Sequence, residues 1–316
     1  MVNNILVTGG AGFIGSHLSE SLINSGYNVT VLDNLATGNK NNISHLAGNQ
    51  NFKFVYGDIC NRDLLRKVCV DIDCICNLAA IPSVPRSIED PLTSHDTNVN
   101  GFMNVLLVAK EYGIKRIVFA SSSSVYGDEP NLPKIEDRIG KQLSPYAVTK
   151  YINELYAGLF TELYGMETIG MRFFNVFGPK QDPNSPYSSV ISKFITNMLN
   201  KKNVTINGDG NYSRDFTYVE NVVSFIRLAL TTTNADCYGR IYNVGCGGRI
   251  TLNQLYDAIE NELHTQLQPI YTSTRNGDIP HSCADISLAI NDLEYTVLEN
   301  FEEGIKETIK WYSENM

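Results

Sequence analysis

Positive charge is the scarcer sign in this chain of 316 residues: 25 lysines and arginines stand against 34 aspartates and glutamates, a formal net charge of −9. A protein that neutralises a phosphate polymer needs a basic face, so a nucleic-acid partner is not expected, although a local basic cluster can still hold a small phosphorylated ligand. No stretch approaches the roughly 18 consecutive apolar residues of a membrane-crossing helix, so no membrane partner is expected either. The seven cysteines (Cys60, Cys69, Cys74, Cys76, Cys237, Cys246 and Cys283) include no Cys-x-x-Cys pair. An odd count without paired spacing argues against a disulfide framework and against a thiolate metal site. They read as free thiols of a reducing compartment, with those from Cys60 to Cys76 in strand and core positions. The N-terminus enters a strand pattern at once, without the basic, apolar and small-residue regions of a leader, so a cytoplasmic location is expected. No internal repeat or low-complexity tract is present.

What the chain has is an ordinary globular balance, 43% hydrophobic and 19% charged, and length for one large or two joined domains. Strand patterns at 4–8, 28–32, 52–56, 74–78, 116–120 and 168–173 alternate with amphipathic stretches such as 14–25 and 98–112. That alternation predicts an α/β fold with a doubly wound parallel sheet. After Asn175 the texture changes: residues 178–189 read as a loop, followed by a helix at 190–199, a strand at 204–207, a helix at 219–231 and a strand at 240–244. Helices at 252–263 and 301–313 complete a smaller mixed C-terminal lobe. The expected division is 1–174 plus about 219–250 for a dinucleotide-binding domain, and about 175–218 plus 251–316 for a substrate lobe.

The first strand runs into TGGAGFIG, which places Gly9, Gly12 and Gly15 in a tight strand-to-helix turn. Glycine is needed there because backbone amides must approach a pyrophosphate closely, at a helix N-terminus that favours anions. Asp33 ends the next strand; an acid at that place accepts hydrogen bonds from ribose hydroxyls and repels a 2′-phosphate, which favours NAD over NADP. Asp58 and Ile59 follow the third strand and flank the adenine in this arrangement. Leu78, Ala79 and Ala80 at the fourth strand end are small enough to let the cofactor pass, and Asn98 opens the next helix. Each of these is also suited to a cap or core position.

Tyr146 and Lys150 lie in the string SPYAVTK. Four residues along a helix bring both side chains to one face, and Ser144 and Pro145 suit the N-cap and first helical positions. A free tyrosine, with a pKa of about 10, is a poor base at neutral pH. A nearby Lys150 ammonium and a positive nicotinamide would both favour the phenolate, lowering that value.

With FASSSSVYG at residues 119–127, the chain resembles the extended short-chain dehydrogenase/reductase family over its whole length, through TGGAGFIG, SSSSVYG, the Tyr-x-x-x-Lys pair and RFFNVFG. The resemblance implies that Ser122 hydrogen-bonds the sugar oxygen; Ser121, Ser123 and Ser124 stand close enough to compete for that role. It also implies cofactor contacts from Phe13, Ile14, Asn34 and Gly38, and packing of Phe173 near the nicotinamide or in the core. The family's first step is removal of a hydride from C4 of a nucleotide sugar. Its 4,6-dehydratases carry an acid pair directly after the catalytic hydroxyl, where this chain has Ser123 and Ser124, and its decarboxylases carry an acid at position 124. Hydroxyls cannot do acid–base work of that kind at neutral pH, so return of the hydride to the other sugar face, a 4-epimerisation, is implied.

Arg214 in SRDF and Arg275 in TRNGDIPHS are similar to the family's diphosphate contacts, which suit arginine's planar fork. Asn175, Val204, Ile206 and Asn207 resemble the uridine-side wall, and Val190 and Asp278 belong to the same expected substrate set. Within the family the chain is most similar to the UDP-N-acetylglucosamine 4-epimerase group, through SVPRS, QDPN, INGDG and the HS-x-AD pattern. Pro82, Ser83, Ser124, Asn175, Ser189 and Ser282 match the ring that governs room for an acetamido group. Pro82 replaces a glycine and Ser189 an alanine, and the small Ser282 leaves space where a tyrosine would close the pocket. Arg86 is assigned either to the sugar diphosphate or to the surface. The resemblance implies interconversion of UDP-GlcNAc and UDP-GalNAc, and a homodimer through helices 98–112 and 146–163. A UDP-glucose or UDP-uronate 4-epimerase, a dehydrogenase that releases NADH and a non-catalytic NAD sensor are the alternatives.

Overall fold

The computed structural model describes residues 2–183, 189–274 and 280–316. In chain order the first half comprises β1 (Asn4–Thr8), α1 (Phe13–Asn24), β2 (Asn28–Asp33), β3 (Phe52–Tyr56), α2 (Arg62–Val68), β4 (Cys74–Asn77), α3 (Val84–Glu89) and α4 (Pro91–His95). A π-helical turn at Asp96–Gly101 leads into α5 (Phe102–Glu111), followed by β5 (Arg116–Ser122), α6 (Pro145–Tyr164) and β6 (Glu167–Phe173). Then come β7 (Val176–Phe177), α7 (Val190–Leu199), β8 (Thr205–Asn207), β9 (Ser213–Arg214), β10 (Thr217–Tyr218), α8 (Val219–Thr231) and β11 (Arg240–Val244). The last elements are β12 (Ile250–Thr251), α9 (Leu252–Leu263), β13 (Ile270–Thr272), α10 (Ser287–Leu293) and α11 (Phe301–Asn315).

Seven strands form one parallel sheet in the order β11-β6-β5-β4-β1-β2-β3. The apolar runs of the inner strands are buried on both faces, as a parallel sheet covered by helices requires, whereas the edge strand β3 is only partly covered. Ile5 and Val7 of β1 join a core shared with α1 and α8, whereas Leu6 between them joins the opposite core with Ile75, Phe102 and Phe119. The reversal of strand order between β1 and β4 opens a crevice at the C-terminal strand ends, where a doubly wound sheet binds its ligand. Three small sheets, β7 with β10, β9 with β12 and β8 with β13, carry the later segments around that end.

The sheet strands lie where the apolar runs place them, within a residue or two, and β11 joins the sheet beside β6. The stretch 98–112 is more than one regular helix. It starts as the π-turn, in which buried Asn98 bonds the Ile81 backbone in both directions. The helices α3 and α4 were not foreseen: their prolines occupy the first turn, where no backbone N–H is needed, and Asp90 caps Thr93 N at 3.1 Å. All seven cysteines are free thiols, but Cys60 departs from the core expectation. It is exposed in the turn before α2, with its N–H donated to Asp58 Oδ1 at 2.8 Å. Among the described residues no helix is long and apolar enough to cross a membrane.

Candidate active site

The turn from β1 into α1 is built around two close approaches. Gly9 has φ +70° and its N–H donates to Leu32 O at 2.9 Å; a Cβ on Gly15 would lie 2.2 Å from Gly9 O. Gly12 is the N-cap of α1, with no side-chain cap and no acid in the first turn. The first-turn N–H groups, near Phe13 and Ile14, therefore suit an anionic ligand. Asp33 is buried: Oδ2 accepts from Ala11 N at 2.9 Å and Oδ1 from Leu35 N at 2.7 Å, and a Cβ on Gly38 would meet this carboxylate. A carboxylate has about four acceptor sites, so capacity remains for ribose hydroxyls. Asn34 Nδ2 donates to Asp58 Oδ2 at 2.7 Å, joining the ends of the second and third strands, with Ile59 buried behind them. Leu78, Ala79 and Ala80 are half-buried past β4, in contrast to the buried strand that leads to them. Asn98 braces this segment from below: its amide is engaged with Ile81 and, at 3.1 Å, with Thr149 Oγ1. These residues fit a dinucleotide cradle.

The serines of residues 121–124 differ in their partners. Ser121 is buried and its hydroxyl donates to Glu154. Ser122, half-buried at the end of β5, accepts from Ser124 Oγ at 3.0 Å and from Ser124 N at 3.2 Å, and its hydroxyl draws the Tyr146 phenol's pKa down. Ser123 is half-buried beside them. Ser144 caps α6 through Ala147 N at 3.2 Å, Pro145 takes the first turn, and Tyr146 N donates to Ser87 Oγ at 3.0 Å, which fixes the helix start under the tyrosine.

The lowering expected of the Tyr146 phenol also counts on the positive nicotinamide. In the protein alone, burial pushes that phenol above its ordinary value, and the Ser122 hydroxyl offsets this only in part. Lys150 does not counter it: Nζ lies 5.9 Å from the tyrosine ring centre and donates instead to Ala120 O at 2.9 Å. Burial lowers Lys150 itself to about 8, opposed by the Glu154 carboxylate. Spacing on a helix face is thus insufficient; the desolvation both groups share outweighs their mutual effect.

On the substrate side, Ser83 (φ +109°) and Asn175 (φ +24°) hold left-handed conformations unusual for side-chain-bearing residues, strain of the kind that concentrates at functional sites. Ser83 caps α3 through Arg86 N at 3.3 Å, leaving the Arg86 side chain half-exposed and Pro82 exposed. Asn175 Nδ2 donates to Ser282 Oγ at 3.3 Å and lies 3.4 Å from Asp215 O, so the expected uridine-side residue and the expected gate are in contact. Ser189 caps α7 and donates to Gln181 Oε1 at 2.9 Å, with half-buried Val190 next to it. Val204 and Ile206 are core residues, so any wall they form there is backbone, while Asn207 stays half-buried. Phe173 is half-buried against the main core. Arg214 Nη1 donates to Ser213 O at 3.0 Å and Pro280 O at 3.1 Å. Arg275 and Asp278 lie outside the described residues.

Five residues escaped the sequence pattern. Arg249, whose Nε donates to Ser213 Oγ at 3.1 Å, adds positive charge beside Arg214, and the His281 ring lies 2.9 Å from the same hydroxyl. Burial lowers the His281 pKa, as do the Arg249 and Arg214 charges, which reports how closely the cations gather. Buried Asp215 accepts three backbone N–H groups, from Cys246, Gly247 and Ala284 at 2.9 to 3.0 Å, and so fastens Arg214 and Ser282 to one frame. Glu154 pairs with Arg172 behind the serines. The glutamate four positions after Lys150 was the one available signal among these.

The family model described as the NAD dependent epimerase/dehydratase family matches residues 5–245. A solved structure of UDP-N-acetylglucosamine 4-epimerase from Methanobrevibacter ruminantium, in complex with UDP-N-acetylmuramic acid, is 39% identical, with full coverage of both chains and a TM-score of 0.94. A UDP-glucose 4-epimerase from Thermotoga maritima, solved with UDP-glucose, is 34% identical over 99% of each chain, with a TM-score of 0.92. A UDP-glucuronate 4-epimerase of Thermodesulfobacterium geofontis is 34% identical over 98% of this chain and 96% of its own length.

Proposed function

The chain belongs to the NAD dependent epimerase/dehydratase family, and from that premise we propose that it interconverts the C4 epimers of a UDP-sugar with NAD held in the β1–α1 cradle. The observation that carries the proposal is the grouping at the end of β5: the Ser122 hydroxyl acts on the Tyr146 phenol, Lys150 Nζ lies 5.9 Å from its ring centre, and serines, not acids, stand at positions 123 and 124.

Bound NAD supplies a hydride acceptor at sugar C4 and a donor to the opposite face. Tyr146, which burial alone keeps protonated, would act as phenolate beside the positive nicotinamide, taking the 4-hydroxyl proton as the carbonyl forms and returning it when the hydride comes back. Ser122 donates to the sugar oxygen as charge shifts onto it, its own acceptor side engaged by Ser124. Lys150 fixes the strand end through Ala120 O and carries the positive charge nearest the phenol on α6. Arg214, with Arg249 and His281 beside it, suits the diphosphate, which must stay anchored while the 4-keto ring turns. Positioning of this kind supplies much of the rate in hydride transfer.

For the sugar itself, the named relatives favour UDP-glucose/UDP-galactose and UDP-glucuronate over a single acetamido substrate. The small Ser282 in contact with Asn175 supports room for an acetamido group as well, in keeping with the similarity to the Methanobrevibacter enzyme. An NMR product assay across UDP-glucose, UDP-GlcNAc and UDP-glucuronate tests both levels. Turnover of UDP-glucose without UDP-GlcNAc removes the acetamido reading, and lasting NADH formation removes the epimerase reading. A homodimer is proposed on the apolar stripe of α6, where Val148, Leu155, Leu159 and Leu163 are exposed, continued by Tyr112 beyond α5. Light scattering that gives a monomer mass at assay concentration contradicts it.

A further inference from the structure

The ion pair of Glu154 and Arg172 has side chains only 5% and 4% exposed, and the reaction as described makes no use of it. Desolvating two charges is unfavourable enough that apolar residues often serve stability as well, so a fully bonded pair here invites a role beyond packing. Its bonds lead to the site. Glu154 Oε1 accepts from Arg172 Nε at 2.9 Å and from the Ser121 hydroxyl, and Oε2 accepts from Arg172 Nη2 at 2.8 Å. Next to Ser121, Ala120 O accepts from Lys150 Nζ at 2.9 Å and the Ser122 hydroxyl acts on the Tyr146 phenol. Three successive residues of β5 are therefore tied to Tyr146, Lys150 and Glu154, which recur every four residues on one face of α6.

We propose that Glu154 is a positioning residue for the epimerisation: through Ser121 it locks the catalytic strand end to α6, and its carboxylate, shared with Arg172, sets the ionisation of Lys150. This deepens the epimerase reading and rests on it. Burial pulls Lys150 down to about 8 and the Glu154 carboxylate opposes that pull. The other titratable groups facing this cluster are few. Tyr146 shares the helix, and Arg172 comes from β6 with its guanidinium 4.8 Å from the ring centre of Tyr126. Glu136 accepts Arg172 Nη1 through its backbone at 2.8 Å, and its carboxylate is engaged by Asn243 N. Lys134 Nζ stands 6.0 Å from the Tyr126 ring. On the remaining elements against α6, Glu89, His95, Asp96, Lys110 and Glu111 are exposed and Arg86 is half-buried, while Arg116 of β5 and Glu167 of β6 pair with each other. Glu154 thus opposes the effect of burial on one ammonium, and Arg172 shares the carboxylate that does so.

The experiment compares kcat and KM against pH, together with NMR titration of isotope-labelled lysine in the NAD-bound enzyme, using Lys150→Met to assign the resonance. Glu154→Gln removes the countercharge, so the Lys150 titration and the alkaline limb of kcat move down by about one pH unit or more, with KM for the UDP-sugar within about twofold. Arg172→Gln frees the carboxylate, and both move up; the double variant falls between. Shifts of the same sign in the two single variants, a fixed limb in both, or a loss confined to KM overturns the proposal, because a merely structural pair lowers activity without opposed shifts. If Glu154→Gln does not fold, Arg172→Gln and the double variant decide by the same signs. The lysine titration needs no turnover, so failure to epimerise any UDP-sugar refutes the functional reading separately from the proposed Glu154 effect.

Discussion

Gly15→Ala tests whether the β1–α1 turn is the nucleotide cradle. A Cβ there would sit 2.2 Å from Gly9 O and 2.7 Å from Gly10 Cα, both main-chain atoms of the same turn, so no side-chain rotation relieves the contact. The turn must open by about 1 Å, an overpacking that costs about 1–3 kcal/mol. The amides that line the turn then no longer converge on one anion. If that distortion falls on the bound state, NAD affinity drops about 5- to 150-fold. Calorimetric titration of NAD into cofactor-free protein measures it, with Gly248→Ala as control because nothing lies within 4 Å of its added Cβ. A folded Gly15→Ala protein that binds NAD like the control refutes the cradle.

Ser122→Ala should lower kcat by about 10²–10³ with NAD affinity unchanged, the scale of losing one donor to a developing oxyanion, and Ser121→Ala should lose far less; the reverse order contradicts the assignment. Lys150→Met should be inactive yet more stable near neutral pH by about 1–3 kcal/mol, after the lost bond to Ala120 is allowed for. The sign follows from its depressed pKa: between about 8 and the ordinary lysine value the unfolded chain holds a proton that the folded one lacks, so wild-type stability rises with pH there. Denaturant unfolding should therefore show the variant's advantage shrinking across that window, and an advantage that grows with pH contradicts it. Ser282→Tyr, placing a ring against Asn175, should reduce UDP-GlcNAc turnover at least about tenfold more than UDP-glucose turnover; equal losses count against the gate.

The parallel sheet was legible because buried strands read as short apolar runs between glycine-rich turns, and β1 to β6 needed nothing more. Tyr146 and Lys150 were legible from a fixed spacing behind a Ser-Pro helix start. What spacing could not convey was environment. The phenol rises because it is buried, and Lys150 bonds a carbonyl instead of facing the ring. The resemblance already preferred Ser122; what it could not show is the partner of each hydroxyl, and Glu154 and Arg172 meet across 18 positions of sequence. Val204 and Ile206 were placed in a wall by resemblance, yet the same apolar character that marks their strand carries them into the core.

The central claim is that one hydride leaves C4 and returns to the same carbon without reaching solvent. The direct measurement is NMR of the product formed from a UDP-hexose deuterated at C4. Full retention of deuterium at C4 of the epimer, with no lasting NADH absorbance, is the predicted result. Deuterium lost to water, or NADH accumulating in step with a ketone product, would contradict it.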